Sequence, residues 1–339
     1  MKLIAAILVL FVLATLLPMA GAAQVNDSCM IRGQVTNVGV NQFTWDNTSF
    51  AGFYYDMNKN LGAETLTFRP TLATPTGATL SDQPNADGYR GVTYETKAQI
   101  KKFKYKPWGQ YDVIGFLGDI YFAAYDPTVT ADVSNAGADF AYLYDASRNR
   151  NLMTNEQISK LLVDDNMEMI INSTNPLKLA DGYQLAIKSI NSNETKVILE
   201  LDKDGHPVDT KIIQPSIAGS KMSDQTYYYK AHLGYTADII QIAVHFKNVF
   251  HNANKDSATV NGEFQISDTP VHFYSDQQYD KMSIRNVDAT GMTITMDNKD
   301  NQITLSKNKD VALMQNIHIN TADQDGTADS PLRYCIYSV

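Results

Sequence analysis

Carboxylates, carboxamides and histidines are the residues of this chain whose types and spacing bear on chemistry. Asp164-Asp165 is an adjacent acid pair of the residue type that glycoside hydrolases use as acid and base. Followed by Asn166, the pair reads first as a solvated break between two segments. Asp297-Asn298-Lys299-Asp300-Asn301 and Asp323-Gln324-Asp325-Gly326 gather the oxygen ligands that Ca2+ takes, so Asp297, Asp300, Asp323 and Asp325 are candidate ligands. Neither run has EF-hand spacing, and each reads first as a turn. The six histidines (His206, His232, His245, His251, His272 and His318) show no zinc-ligand spacing. His245 and His251 flank a strand end and read as rim residues. No G-x-S-x-G elbow, phosphate-binding loop or dinucleotide fingerprint occurs. The expectation is a protein that is not an enzyme and has no cofactor, with Ca2+ as the one ion to consider.

Four asparagines, Asn26, Asn47, Asn172 and Asn193, head N-x-S/T sequons and are candidate N-glycosylation sites in an exported chain. Asn193 is the best placed, within the turn-like run Asn191-Ser192-Asn193-Glu194. Cys29 and Cys335 are the two cysteines. They form either a disulfide, which needs Cα atoms within about 7 Å, or two separately buried thiols.

Export is expected from the first residues. Lys2, the apolar run Leu3–Leu17, Pro18 and the small residues Ala20-Gly21-Ala22-Ala23 make residues 1–23 a secretory signal peptide. An uncleaved N-terminal anchor is the competing reading. Leu332–Val339 is too short to cross a bilayer, so no C-terminal membrane anchor is expected. A formal net charge of −9 argues against nucleic acid and anionic lipid as partners.

The elements that must position these residues read almost wholly as strands, giving an all-β fold. Nineteen tyrosines suit half-buried pleated surfaces. Val197, Leu199 and Leu201 alternate into the turn Asp202-Lys203-Asp204-Gly205, and Val208–Ile213 returns as a hairpin. Met292–Met296, Asp297–Asn301 and Ile303–Leu305 read as a second hairpin. Asp238–Val249 and Ala258–Ile266 read as core strands. Thr154 and Gln157 form a capping box before Ile158, Leu161 and Leu162, predicting one short connecting helix. The predicted organisation is two linked β-sandwich modules. The first is discontinuous, 28–165 plus 271–339, and the second is immunoglobulin-like, 166–270.

Trp45–Phe68, WDNTSFAGFYYDMNKNLGAETLTF, reads as a strand, a turn at Asp56–Asn60 and a second strand, Leu61–Phe68. It also resembles the signature of the duplication domain in surface-layer (S-layer) proteins of methanogenic archaea, of the Methanosarcina type. Separated blocks resemble the same domain in the same order. They are Lys106-Pro107-Trp108-Gly109-Gln110-Tyr111 through Tyr121-Phe122-Ala123-Ala124-Tyr125, Pro176-Leu177 with Asp181-Gly182-Tyr183, Leu199–Val208, Ile242–Phe250, Gly262–Ser267 and Leu332-Arg333-Tyr334. The resemblance implies sandwich modules tiling into a porous, acidic, glycosylated sheet at the cell surface, with self or other S-layer proteins as partners and no catalytic residues. Lattice-forming members typically carry two copies, an acidic stalk and a membrane helix. One copy here implies docking into a lattice built by a longer relative, release, or retention by the N-terminal segment. Two further readings stay open: an exported sandwich binding glycan or a partner through Trp45 or Trp108, and a secreted glycan hydrolase.

Overall fold

A computed structural model describes residues 30–81, 91–128, 141–251 and 255–339. The expected signal peptide, Asn26 and Cys29 lie outside the described residues. The fold is all-β, and the described residues form antiparallel sheets of nine, six, five, four and three strands.

The hairpin around Asp204-Gly205 forms where local pattern places it. Val197–Lys203 pairs with His206–Ile213, and Lys203 stands opposite His206. Asp204 and Gly205 have φ of 51° and 80°, so the two-residue turn needs a glycine-tolerant left-handed backbone. These strands, with Leu177–Lys178 and Tyr183–Ile190, form the four-stranded sheet. Its inward residues Leu185, Ile187, Val197, Leu199 and Leu201 pack on Tyr227, Ile242, Val244, Phe246 and Val260 of the nine-stranded sheet. Each such fully buried side chain contributes about 1.5–3 kcal/mol of burial free energy.

Aromatics dominate the other cores. Phe43–Trp45 and Thr65–Arg69 are adjacent strands of the six-stranded sheet. Trp45 meets Phe68 edge-on at 4.9 Å, and Phe68 stacks on Tyr334 at 5.8 Å. The second strand of the Trp45–Phe68 segment, expected from Leu61, starts only at Thr65. Leu61 makes only an isolated bridge to Asp56, whose carboxylate holds the turn by accepting from Asn58 N at 3.0 Å and Lys59 N at 3.2 Å. Later strands return to this region. Thr293–Asp297 pairs with Gly91–Lys97, and Arg333–Ser338 pairs with Ile31–Arg32 and Thr36–Asn37.

The nine-stranded sheet runs Thr226–Leu233, Thr236–Phe250, Ser257–Ile266, Gln157–Asp165, Asp119–Asp126, Gln110–Phe116, Gln99–Lys102, with Met169–Asn172 and Val271–His272 as short additions. Its middle strand corrects the predicted helix. Residues 157–165 are a strand, preceded only by the 3-10 turn Leu152–Asn155. Both capping-box residues are engaged elsewhere. The Thr154 hydroxyl donates to Asn151 O, and Gln157 Oε1 accepts from Tyr235 N and the Thr236 hydroxyl. Asn151 is the actual cap, and Glu156 at φ 54° ends the turn. Gln157, Ile158 and Ser159 are all buried, so residues of both parities are covered, and that imitates helical spacing.

The second predicted hairpin is also corrected. Thr293–Asp297 belongs to the six-stranded sheet, whereas Ile303–Leu305 pairs with Gly77–Leu80 in the three-stranded sheet. Asn298 makes the corner. It is fully buried, accepts from Val92 N at 2.8 Å and donates to Leu80 O at 3.1 Å.

Candidate functional site

The acidic runs proposed for Ca2+ meet a cation of the chain itself. Arg285, on Met282–Asp288, directs Nε to Asp297 Oδ1 and Nη2 to Asp300 Oδ2, each at 2.6 Å, and Nη1 to Asp276. Asp325 pairs with Lys307 at 2.7 Å, and Asp323 is exposed. Among the described residues no group of three or more His, Cys, Asp or Glu side chains is placed to hold a metal ion.

Asp164 is not a solvated linker residue. It lies in a strand, accepting from Lys104 N at 2.9 Å and from the Tyr111 hydroxyl at 2.8 Å. Burial pushes its carboxyl above the usual range, against the lowering effect of those two donors. Asp165 accepts from Asn166 N at 2.7 Å and lies 3.9 Å from the Lys104 ammonium. An acid that spacing did not flag, Asp112, has its carboxyl pushed up to about 6 by burial and by nearby Asp126.

The contact at Lys104 begins a joint between distant segments. Tyr105 stacks on His245 at 4.2 Å, and its hydroxyl lies 2.8 Å from His245 Nε2. His245 Nδ1 lies 2.5 Å from Asn261 Oδ1, so the neutral ring donates at Nδ1 and accepts at Nε2. Trp108 Nε1 donates to the Thr226 hydroxyl at 3.3 Å. A Cβ at Gly262 would meet the Tyr105 ring at 2.9 Å, so this glycine permits the close approach. His245 is 4% exposed, not a rim residue, and desolvation holds its pKa down at about 4. His251, just beyond the strand end, pairs with Asp256 at 2.7 Å.

Glu64 is a second interior anchor. Its carboxylate accepts from Tyr54 N at 2.7 Å, the Tyr94 hydroxyl at 2.8 Å and Gly118 N at 3.0 Å. Burial raises its pKa while these donors oppose the rise. Gly115 allows the close packing against this carboxylate, since a Cβ there would stand 2.8 Å from Glu64 Oε2. The signal was in the alternation: Glu64, Leu66 and Phe68 share one strand face.

Trp45 and Trp108 are 0% and 1% exposed. Neither offers an open face to a glycan or partner, which corrects that reading. Cys335 is buried in the last strand. Asn47 and Asn172 are half-buried and Asn193 is exposed, each within or beside a turn.

The S-layer protein family profile matches residues 34–323. The chain is similar to the Major S-layer protein of Methanosarcina mazei, 29% identical over 310 residues, covering 90% of this chain and 39% of the relative. The Major S-layer proteins of Methanosarcina acetivorans and Methanosarcina barkeri are 28% and 27% identical, over 91% and 90% of this chain. The chain spans about two fifths of the length of these relatives, 40% and 39% for the latter two.

Proposed function

The chain belongs to the S-layer protein family, and on that premise we propose that it is a structural, non-catalytic component of a cell-surface lattice. Its partners are copies of itself or other S-layer proteins. The observation that carries the reading is the extent of the match. Residues 34–323 include strands of all five sheets, together with the Tyr105–His245 joint and the Glu64 anchor. The match spans strands of every described sheet, not one motif. Division into a discontinuous module, 28–165 plus 271–339, and a second module, 166–270, belongs to this proposal. So do glycans on at least one sequon, a Cys29–Cys335 bridge, and Ca2+ binding.

Fractionation of native envelopes and electron microscopy of purified protein test the role. Co-sedimentation with the envelope and ordered sheets on concentration are expected. Protein that stays monomeric with and without Ca2+, and is absent from the envelope fraction, overturns it.

A further inference from the structure

Open strand edges are templates for unwanted pairing and are normally blunted by charge, proline or cover. Three such edges can be compared among the described residues. Gln99–Lys102 pairs only with Gln110–Phe116 and carries Lys101 and Lys102. His206–Ile213 pairs only with Val197–Lys203 and carries Pro207, Asp209 and Lys211. Met169–Asn172 pairs only with Ser257–Ile266, apart from its own turn at Asn175. This third edge, Met-Ile-Ile-Asn, has neither charge nor proline. Ile170 is 68% exposed, Met169 37%, and Met167 just before them 67%. Its last residue, Asn172, opens the sequon Asn172-Ser173-Thr174.

We propose that N-linked glycans on Asn172 and Asn193 cover this apolar edge, and that Asn47 stays unmodified. Both sequon turns stand at one end of the sandwich because Asp256 ties them together. Ser173 N donates to Asp256 O at 2.9 Å, and Ile190 N donates to Asp256 Oδ2 at 2.7 Å. Beside them, His251 N donates to Glu194 Oε1 at 2.8 Å. In both turns the sequon threonine donates to its own asparagine, Thr174 to Asn172 Oδ1 at 2.9 Å and Thr195 to Asn193 Oδ1 at 3.1 Å. Asn47 differs. The hydroxyls of Thr48 and Ser49 turn to Asp46 Oδ1, at 2.6 and 3.0 Å, and the loop is pinned by buried Phe50 and by Gln34 N donating to Ser49 O at 2.7 Å.

The donor is an oligosaccharide carried on a lipid phosphate. The asparagine Nδ2 bonds to the anomeric carbon and the carbon–oxygen bond to phosphate breaks. Phosphate leaves with the electron pair, and the amide nitrogen gives up one proton. The inference rests on the export reading.

Glycopeptide mass spectrometry of protein from native envelopes tests occupancy. Sugar mass on the Asn172 and Asn193 peptides and a bare Asn47 peptide are expected. A modified Asn47, or a bare Asn172 or Asn193, overturns the assignment. Light scattering of Asn172→Gln protein from the same host tests the cover. A dimer or larger is expected, returning to the wild-type size when Ile170→Lys is added. An Asn172→Gln protein of wild-type size overturns the shield, as does association that Ile170→Lys leaves in place. Envelope co-sedimentation, scored in the same preparations, separates the two readings: envelope-bound protein with a bare Asn172 overturns the shield alone.

Discussion

Glu64 and His245 are both buried titratable residues that tie distant segments, and they respond to pH in opposite directions. Glu64 gathers Tyr54, Tyr94 and Gly118 in the core that also holds Trp45 and Phe68. His245 sits where Tyr105 reaches across 140 residues of sequence to the strand Thr236–Phe250. Desolvation favours the neutral form of each. For the acid that raises the pKa, and for the imidazole it lowers it to about 4. The same burial thus makes one region lose stability as pH rises and the other as pH falls.

Removing the anchors breaks the comparison most strongly. Glu64→Ala leaves two backbone N–H groups and one tyrosine hydroxyl without their acceptor inside a packed core. Each orphaned donor costs about 1–3 kcal/mol, so a loss of roughly 3 kcal/mol or more is expected in denaturant unfolding. A loss under about 1 kcal/mol would mean that water replaces the carboxylate.

The acid limb of the stability curve comes next. His245 has a folded pKa below its unfolded value near 6.5, so the unfolded chain binds the extra proton between about 6.5 and 4. Its contribution is fully present above that window and is lost as pH falls through it, by on the order of 3 kcal/mol at the acid end. His245→Gln, which cannot titrate, flattens this limb when unfolding is followed against pH. An unchanged slope assigns acid sensitivity elsewhere. Glu64 runs the other way. With its folded pKa raised, its contribution is greatest below the unfolded value near 4.3 and declines as pH rises through the folded one.

The finest test is Tyr105→Phe, which keeps the ring stack on His245 and deletes only the hydroxyl at Nε2. A loss of about 1 kcal/mol is expected, together with a small rise in the His245 pKa read by NMR titration. No change in either would leave stacking alone to hold the joint.

Elements specified by neighbours in sequence were legible, and those specified by distant partners were not. The Asp204-Gly205 turn declares its hairpin, and the alternation of Val197, Leu199 and Leu201 declares the buried face. Gln157–Asp165 was misread because its partner strands, Asp119–Asp126 and Ser257–Ile266, are not its sequence neighbours, and because Gln157, Ile158 and Ser159 are all buried, which erases the period-two signal. Met292–Leu305 was misread because Asn298 pairs with Val92 and Leu80, more than 200 positions away, and no local rule reveals that. The tryptophans of the signature segments are core residues, so the resemblance pointed to the assembly unit while exposure had to come from the fold. Arg285 was invisible beside the acidic runs because two of its carboxylates, Asp297 and Asp300, come from one run and the third, Asp276, from another segment.

The middle strand of the nine-stranded sheet also has a mechanical meaning. Toward Ser257–Ile266, Gln157–Asp165 is held in register at four positions, from Leu161 opposite Ile266 to Asp165 opposite Glu263. Toward Asp119–Asp126 it is held at two, Tyr121 opposite Lys160 and Phe122 opposite Ser159. Tension across the strands loads these ladders in peel. The two-rung side is where the sheet is expected to part first, and single-molecule stretching that breaks the four-rung side before it would refute this.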